Sequence, residues 1–288
     1  MFWENCVKPT NLFFQNFLNI QKELQKIFKK RNERGIKMVN VKGKWTLITG
    51  ASRGIGYHTA KFMAEQGCNL ILHSRKTEHC QKLLEEVRAL GVEAFSVGAE
   101  LSDPEQVTAL LREVDNLGKN VEIVFNNAGI QTPPRLDFCQ TTVEDFTDSF
   151  QINIIAPAMI CYHFLPKMRE NGFGRIINTS SGIHLQPEFA GYAASKAALD
   201  KITVDLGYAL EGSDVTINLV DPGWCRTDMG GKEAYFPPEN AVPGMVLFAF
   251  TDDRKSGRRI YAPDFSGMEL GEALEKAEKV LCSPYEKL

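Results

Sequence analysis

Tyr192 and Lys196 stand four positions apart in the stretch GYAASKAAL, residues 191–199. Alanine is the best helix former, and residues i and i+4 share one helix face. Such a pair is either an ordinary surface contact or an acid–base couple. In the second case the lysine charge eases proton release from the phenol. A free phenol has a pKa of about 10, so only about 0.1% is ionised at pH 7. Lowering that value toward the working pH favours proton exchange. Ser180 and Ser181 follow the apolar run RIINT, and Asn153 lies in a helix-like stretch where asparagine is unfavourable. The Gly-rich stretch TGASRGIG (49–56) offers backbone N–H groups to a pyrophosphate.

These groups need elements to position them. From Trp45 onward, short apolar runs alternate with helix-like stretches. The runs are WTLIT (45–49), NLILHS (69–74), VEAFSV (92–97), VEIVFN (121–126), RIINTS (175–180) and VTINLV (215–220), with RRIYA (258–262) as a seventh. They are strand-length and rich in Val and Ile, as buried parallel strands are. Gly67, Gly91, Gly118, Gly172 and Gly212 each follow a helical stretch and precede a run, where the left-handed conformation ends a helix. The pattern predicts a doubly wound α/β domain with a parallel sheet of about seven strands and helices on both faces. Ligands of such sheets bind beyond the carboxyl ends of the strands.

The chain resembles the short-chain dehydrogenase/reductase family over residues 40 to 265. The likeness rests on TGASRGIG (49–56), NNAG (126–129), Asn153 in QINIIAPA, Ser180–Ser181, YAASK (192–196) and DPGWCRT (221–227). The resemblance implies a Rossmann-type fold, a nicotinamide dinucleotide and a ketone–alcohol conversion. It makes Tyr192 the general acid/base, and gives Lys196 the nicotinamide ribose hydroxyls as well as the electrostatic role. Counted out from the fifth strand, the catalytic serine falls on Ser181, with Ser180 as the alternative, because only 11 positions separate Ser181 from Tyr192. Asn153 becomes the support of a proton relay. The implied cofactor contacts in the Gly-rich loop are Gly50, Ser52, Arg53, Gly54, Ile55 and Gly56. Others follow later strands: Asn126, Ala128 and Gly129, then Pro222, Gly223 and Thr227.

The second strand ends at Ser74, followed by Arg75 and Lys76, and no acid appears until Glu78. An acid there would bond a ribose hydroxyl and repel a 2′-phosphate, whereas arginine recognises phosphate. Arg53 and Arg75 therefore favour NADP, with NAD kept open. Glu100 and Leu101 fall where the family contacts the adenine, although the family often has Asp in place of Glu100.

DPGWCRTDMGGKEAYFPPENAVPGM (221–245) corresponds by resemblance to the substrate lid, residues 224–245. Trp224, Met229, Tyr235 and Phe236 favour a large apolar substrate, with His184 and Phe189 flanking the same cleft. A narrower likeness is to bacterial hydroxysteroid dehydrogenases of the 20β type. A 3-oxoacyl carrier-protein reductase shares the same catalytic set. A different class, a non-catalytic dinucleotide-binding regulator, is weighed against by the complete set Asn153, Ser181, Tyr192 and Lys196. Family members are homodimers or homotetramers.

The 288 residues are 43% hydrophobic and 24% charged, and the net charge of −3 gives no general attraction to nucleic acid. Five histidines and seven scattered cysteines show no metal-ligand spacing, so no metal is expected. The odd, dispersed cysteines suggest reduced thiols and a cytoplasmic setting. No apolar run is long enough to span a bilayer, and there is no signal-peptide pattern, Walker A ending or hydrolase nucleophile elbow. Residues 1–37 carry eight Lys/Arg against three Glu, while the rest carries 25 basic and 33 acidic residues. A basic extension, 1–37, thus precedes an acidic body, 38–288. Phe13, Phe17, Ile20, Leu24 and Ile27 form a narrow helical seam in that extension. It packs on the body or a neighbouring subunit, is a start-site extension, or lies on an anionic membrane surface; the acidic body favours the first.

Overall fold

The computed structural model describes residues 38–280. The N-terminal extension and its seam lie outside the described residues. The strands are β1 (Trp45–Ile48), β2 (Asn69–Ser74), β3 (Ala94–Gly98), β4 (Val121–Asn126), β5 (Gly174–Thr179), β6 (Val215–Asp221) and β7 (Arg259–Tyr261). The helices are α1 (Gly54–Glu65), α2 (Gln81–Ala89), α3 (Pro104–Asn116), α4 (Val143–Phe150), α5 (Ala156–Asn171), α6 (Ala190–Ala209), α7 (Val242–Phe250) and α8 (Leu270–Val280). Among the described residues the strands form one sheet in the order β3-β2-β1-β4-β5-β6-β7, and every pairing is parallel. The doubly wound expectation therefore holds, and each apolar run lies on a strand.

Both sheet faces are covered. Leu47, Ile71, Val124, Ile176 and Ile217 pack with Val107, Leu110 and Val114 of α3 and Ile160, Phe164 and Met168 of α5. Every residue of β5 and β6 is buried. This is why the runs read as continuous rather than alternating in polarity. Burial at about 25 cal/mol per Å² of apolar surface makes these strands the main source of cohesion. The five helix-ending glycines all have positive φ, between +65° and +86°.

Strand order reverses between β1 and β4, so the crevice for a ligand opens at their carboxyl ends. Two departures from the sequence reading bear on that crevice. The segment between α4 and α5, Gln151–Ile155, is a π-helical turn that carries Asn153. Such turns hold one extra residue in a helix and recur at functional sites. The expected lid over 224–245 also runs too far. Val242–Met245 open α7, a helix with all of its residues buried or nearly so. The physical reason is the apolar run VPGMVLFAF, which has no polar face to give to solvent.

Candidate active site

Strand β1 ends before Thr49, whose hydroxyl donates to the Phe125 carbonyl (3.3 Å) and accepts from the N–H groups of Asn127 and Ala128 (3.0 Å each). The Asn127 amide donates back to the carbonyls of Thr49 (3.0 Å) and Gly50 (3.3 Å). The Gly-rich loop is thereby tied to the end of β4. A third tie comes from His73 near the end of β2. Its Nδ1 accepts from Gly50 N–H (3.4 Å) and its Nε2 faces the Ala99 carbonyl (3.1 Å). Burial pushes the His73 imidazole down to about 4, so it is neutral at ordinary pH.

Helix α1 starts after Arg53, which gives no side-chain cap, and its first turn holds no acid. The first N–H groups of α1 are left for a ligand. A Cβ on Gly56 would lie 2.3 Å from the Gly50 carbonyl oxygen, so only glycine lets the loop close this tightly. An uncapped helix start under a closed glycine turn fits a pyrophosphate, and in this respect the residues present suit a dinucleotide.

The catalytic candidates converge at the ends of β4 and β5. Tyr192 and Lys196 lie in the first two turns of α6 and both are buried. Gly191 sets their depth. A Cβ there would lie 2.2 Å from the Asp145 carbonyl oxygen, so the start of α6 rests directly on α4. Asp145 is held in turn by Arg135 through two bonds (2.8 and 2.9 Å) and by the capping box with Thr142. The Lys196 ammonium donates to the Thr179 carbonyl at 2.8 Å. Asn153 is fully buried. Its Oδ1 accepts from Ile130 N–H (2.9 Å), and its Nδ2 donates to the Ile130 carbonyl (2.8 Å) and Ser195 Oγ (3.0 Å). Gly129 adjoins both groups, since a Cβ there would lie 3.1 Å from Asn153 Oδ1 and 3.5 Å from Lys196 Nζ.

Ser181 lies close enough to the Tyr192 phenol to pull its pKa down, and its Oγ accepts from Ile183 N–H (3.3 Å), whereas Ser180 donates to Asp200 at 2.5 Å. The geometry thus separates two serines that sequence alone left as alternatives. Burial raises the Tyr192 phenol above its ordinary value, the Ser181 bond lowers it, and the Asp221 charge raises it. Burial pushes Lys196 down to about 8, against the upward pull of Asp200 and Asp221. Lysine and tyrosine both lose water here; at Lys196 desolvation outweighs the two carboxylates, and at Tyr192 it acts in the same direction as the Asp221 charge.

Other sequence candidates are placed as follows. The Asn126 side chain lies inside, donating to Asn178 Oδ1 at 2.8 Å, rather than into the crevice. Leu101 is part of the apolar core. Glu100 is half-buried, and its N–H donates to Gln106. Ser74 is buried and donates to the Lys76 carbonyl (2.6 Å), which turns the chain and leaves Arg75 exposed. Ser52, Ile55, Ala128, Pro222 and Gly223 are half-buried around the crevice mouth. Arg53 pairs with Asp228 at 2.5 Å, both exposed, and Gly54 adjoins Thr227 Cγ2. The segment after β6 is therefore drawn onto the Gly-rich loop.

That segment is a closed knot over 224–236. Trp224 Nε1 donates to the Gly230 carbonyl (2.8 Å), and Arg226 donates to the carbonyls of Ala234 and Tyr235 (3.1 and 3.0 Å). Tyr235 stacks edge-on against Trp224 and Phe236. Trp224, Met229 and Tyr235 are exposed. His184 is exposed, bonded to the Gly182 carbonyl, and Phe189 is half-buried just before α6. Sequence reasoning named Thr49, Asn127 and Asp221 only within their motifs, and passed over His73 and Ser195. A polar residue at the end of each central strand was the available signal for three of them.

A match to the family described as short chain dehydrogenase spans residues 44–235. The chain is 32% identical over 240 residues to a 3α-hydroxysteroid dehydrogenase of Mediterraneibacter gnavus, covering 81% of this chain and 95% of that one. It is 32% identical over 189 residues to the 3-oxoacyl-[acyl-carrier-protein] reductase of Staphylococcus aureus, covering 65% of this chain and 76% of that one. Among solved structures, landomycin C-6 ketoreductase with bound NADP and rabelomycin superposes with a TM-score of 0.67 at 29% identity, over 80% of this chain and 98% of that one.

Proposed function

Because this chain belongs to the short-chain dehydrogenase family and is an NAD(P)-dependent oxidoreductase, we propose that it interconverts a ketone and a secondary alcohol on a bulky apolar substrate, with a steroid as the leading candidate. The observation that carries this reading is the Ser181–Tyr192 pair above Lys196, beside a loop that exposes Trp224 and Tyr235 by 47% and 73%. Apolar rings laid against those side chains bind at about 25 cal/mol per Å² buried. The polar pair then fixes which carbonyl meets Tyr192.

A nicotinamide dinucleotide, when bound, supplies or accepts the hydride. The start of α1, Arg53, Arg75 and Lys196 are the residues proposed to hold it. Ser181 Oγ and the Tyr192 hydroxyl both serve the substrate oxygen. Tyr192 gives its proton to that oxygen in reduction and takes it back in oxidation. Ser181 donates where negative charge develops. Lys196 keeps a positive charge behind the phenol, and Asn153 holds the Gly129–Ile130 backbone and Ser195 around it. The relatives named a hydroxysteroid dehydrogenase and a ketoreductase of a ring compound support the apolar substrate.

The carrier-protein reductase reading has a relative at 32% identity and a solved structure at 25% identity behind it. It wants free basic groups beside the cleft to meet an acidic carrier. Arg226 is tied to two carbonyls, and the acids Asp228 and Glu233 offset Arg226 and Lys232, which weighs against it. The test is a screen of steroid ketones, including cortisol-like 20-ketosteroids, against 3-oxoacyl thioesters, followed by nicotinamide absorbance with both cofactors. Steroid turnover supports the reading. Efficient thioester reduction with no steroid turnover overturns the substrate and leaves the reductase.

NADP is the proposed cofactor, because exposed Arg75 and Lys76 follow β2 and the first acid, Glu78, comes later. Arg75→Ala should weaken NADP binding by about tenfold, the worth of one charge-assisted bond, and leave NAD nearly unchanged. Fluorescence titration with each cofactor checks this; equal losses remove Arg75 as the discriminator. The free thiols of the described residues, all buried but Cys139, and the acidic body fit the cytoplasm, and among the described residues no helix is long and apolar enough to cross a membrane.

A homodimer or homotetramer is proposed as well. Ile155 and Tyr162 lie seven apart on one stripe, 42% and 60% exposed, and Val143 and Phe146 add apolar surface on α4. Surfaces of this kind on a single chain mark interaction sites. Tyr162→Glu should reduce the particle to the 32.2 kDa chain in light scattering, while the wild type weighs a multiple of that mass.

A further inference from the structure

We propose that Asp221, braced by Arg259, is a positioning residue that sets the protonation of Tyr192 and Lys196 from behind the site. This rests on the oxidoreductase reading above. Asp221 closes β6 and is buried. Its Oδ1 accepts from Gly223 N–H (2.9 Å) and its Oδ2 from Arg259 Nη2 (3.2 Å). The other arm of Arg259, Nη1, lies 3.4 Å from Asp200 Oδ2. Asp200 stands one helical turn after Lys196 and accepts the Ser180 hydroxyl at 2.5 Å. One guanidinium thus bridges two carboxylates behind a buried ammonium.

The placement of Asp221 is close to the chemistry. A Cβ on Gly182 would lie 2.7 Å from Asp221 Oδ2, so the carboxylate rests against the residue that follows Ser181. Tyr192, Lys196 and Asp200 face it from α6, Arg259 and Tyr261 from β7, and Cys225 from the loop after β6. Its charge raises Tyr192, Lys196 and Asp200 together. In this interior charges are weakly screened. The negative charge keeps the proton on the phenol and on the ammonium, and Arg259 moderates it. Lys196, Arg259, Asp200 and Asp221 together carry two charges of each sign, so the set is balanced when Lys196 is protonated. Losing either bridge partner unbalances it, in opposite senses.

Asp221 has a simpler alternative role, as the turn former of Asp-Pro-Gly through its bond to Gly223. Asp221→Asn keeps that acceptor and the side-chain size while removing the charge. Arg259→Gln removes the opposite charge. Tyr192 must be protonated to give its proton in reduction and ionised to accept one in oxidation. With the Asp221 charge gone the phenol loses its proton more readily. In Asp221→Asn the alkaline fall of reduction and the rise of oxidation therefore both move to lower pH, by about half a unit to one unit. In Arg259→Gln both move to higher pH, and the double variant returns toward the wild type.

A readout without substrate separates this proposal from the substrate reading. The ultraviolet phenolate titration of the wild type minus that of Tyr192→Phe isolates one of seven tyrosines. Circular dichroism at each pH confirms that the chain is folded. The same subtraction in the Asp221→Asn and Arg259→Gln backgrounds should show the midpoint displaced down and up, respectively. Midpoints that stay in place, or that move in one direction in both variants, overturn the proposal. Absence of turnover with every carbonyl counts against the oxidoreductase reading and leaves this titration to decide the role of Asp221.

Discussion

Phenylalanine in place of Tyr192 should lower kcat/KM by about a thousandfold, the middle of the range for a positioned proton donor, and leave cofactor affinity unchanged. The change removes one oxygen from a buried ring. Lys196 keeps its bond to the Thr179 carbonyl, and Asn153 keeps its bonds to Ile130 and Ser195. Ser181 loses the phenol but retains the Ile183 N–H as a donor. The ring still packs at the start of α6 on α4, so the fold should survive. Turnover is followed by nicotinamide absorbance and cofactor binding by fluorescence quenching. A folded variant with near-native turnover would remove Tyr192 from its role and with it the proposed proton path.

The second large effect is expected at Gly56. An alanine Cβ there would sit 2.3 Å from the Gly50 carbonyl oxygen and 2.5 Å from the Asn127 amide. Both are anchored. Gly50 is held by His73 and Asn127, and Asn127 by Thr49. Relief therefore requires the loop to move off β4, which breaks the arrangement that leaves the α1 N–H groups available. Overpacking of this kind costs about 1–3 kcal/mol, equivalent to roughly a 5- to 150-fold loss of affinity. Gly56→Ala should bind the dinucleotide more weakly by that factor and melt several degrees lower. Native affinity in calorimetric titration would show that the cradle is not where the cofactor is held.

How far the sequence reveals the site depends on the range of the interaction. The strands were legible because both faces of the sheet are covered, which makes VEIVFN and VTINLV continuous apolar runs. The Tyr192–Lys196 spacing was legible because a single helix sets it. Ser181 was preferred with Ser180 kept as the alternative, since the two differ only in which way a strand end points; the bond of Ser180 to Asp200, 20 residues later, supports the preference and could not be read from the sequence. Asp221 and Arg259 are 38 residues apart and meet only through the β6–β7 pairing. His73 looked like one more strand residue. Its importance comes from Gly50 and Ala99, which only the stacking of β1, β2 and β3 brings to it. The end of the lid was misjudged because prolines and glycine in VPGM suggest a loop, whereas Pro243 sits in the first turn of α7, where proline is tolerated.

The turn at Gln151–Ile155 constrains heredity as well as chemistry. Its surplus residue is what lets Asn153 reach Ile130 and Ser195 while α4 and α5 keep their own packing. Loss of any one codon in this short interval would restore an ordinary helical path and rotate everything on one side of it by about 100°. Asn153 would then leave its partners, or α5 would turn its buried face outward. Substitutions around it change one side chain, but a one-codon deletion changes the phase of two helices. Descendants of this gene can therefore vary the letters of this stretch more freely than its length.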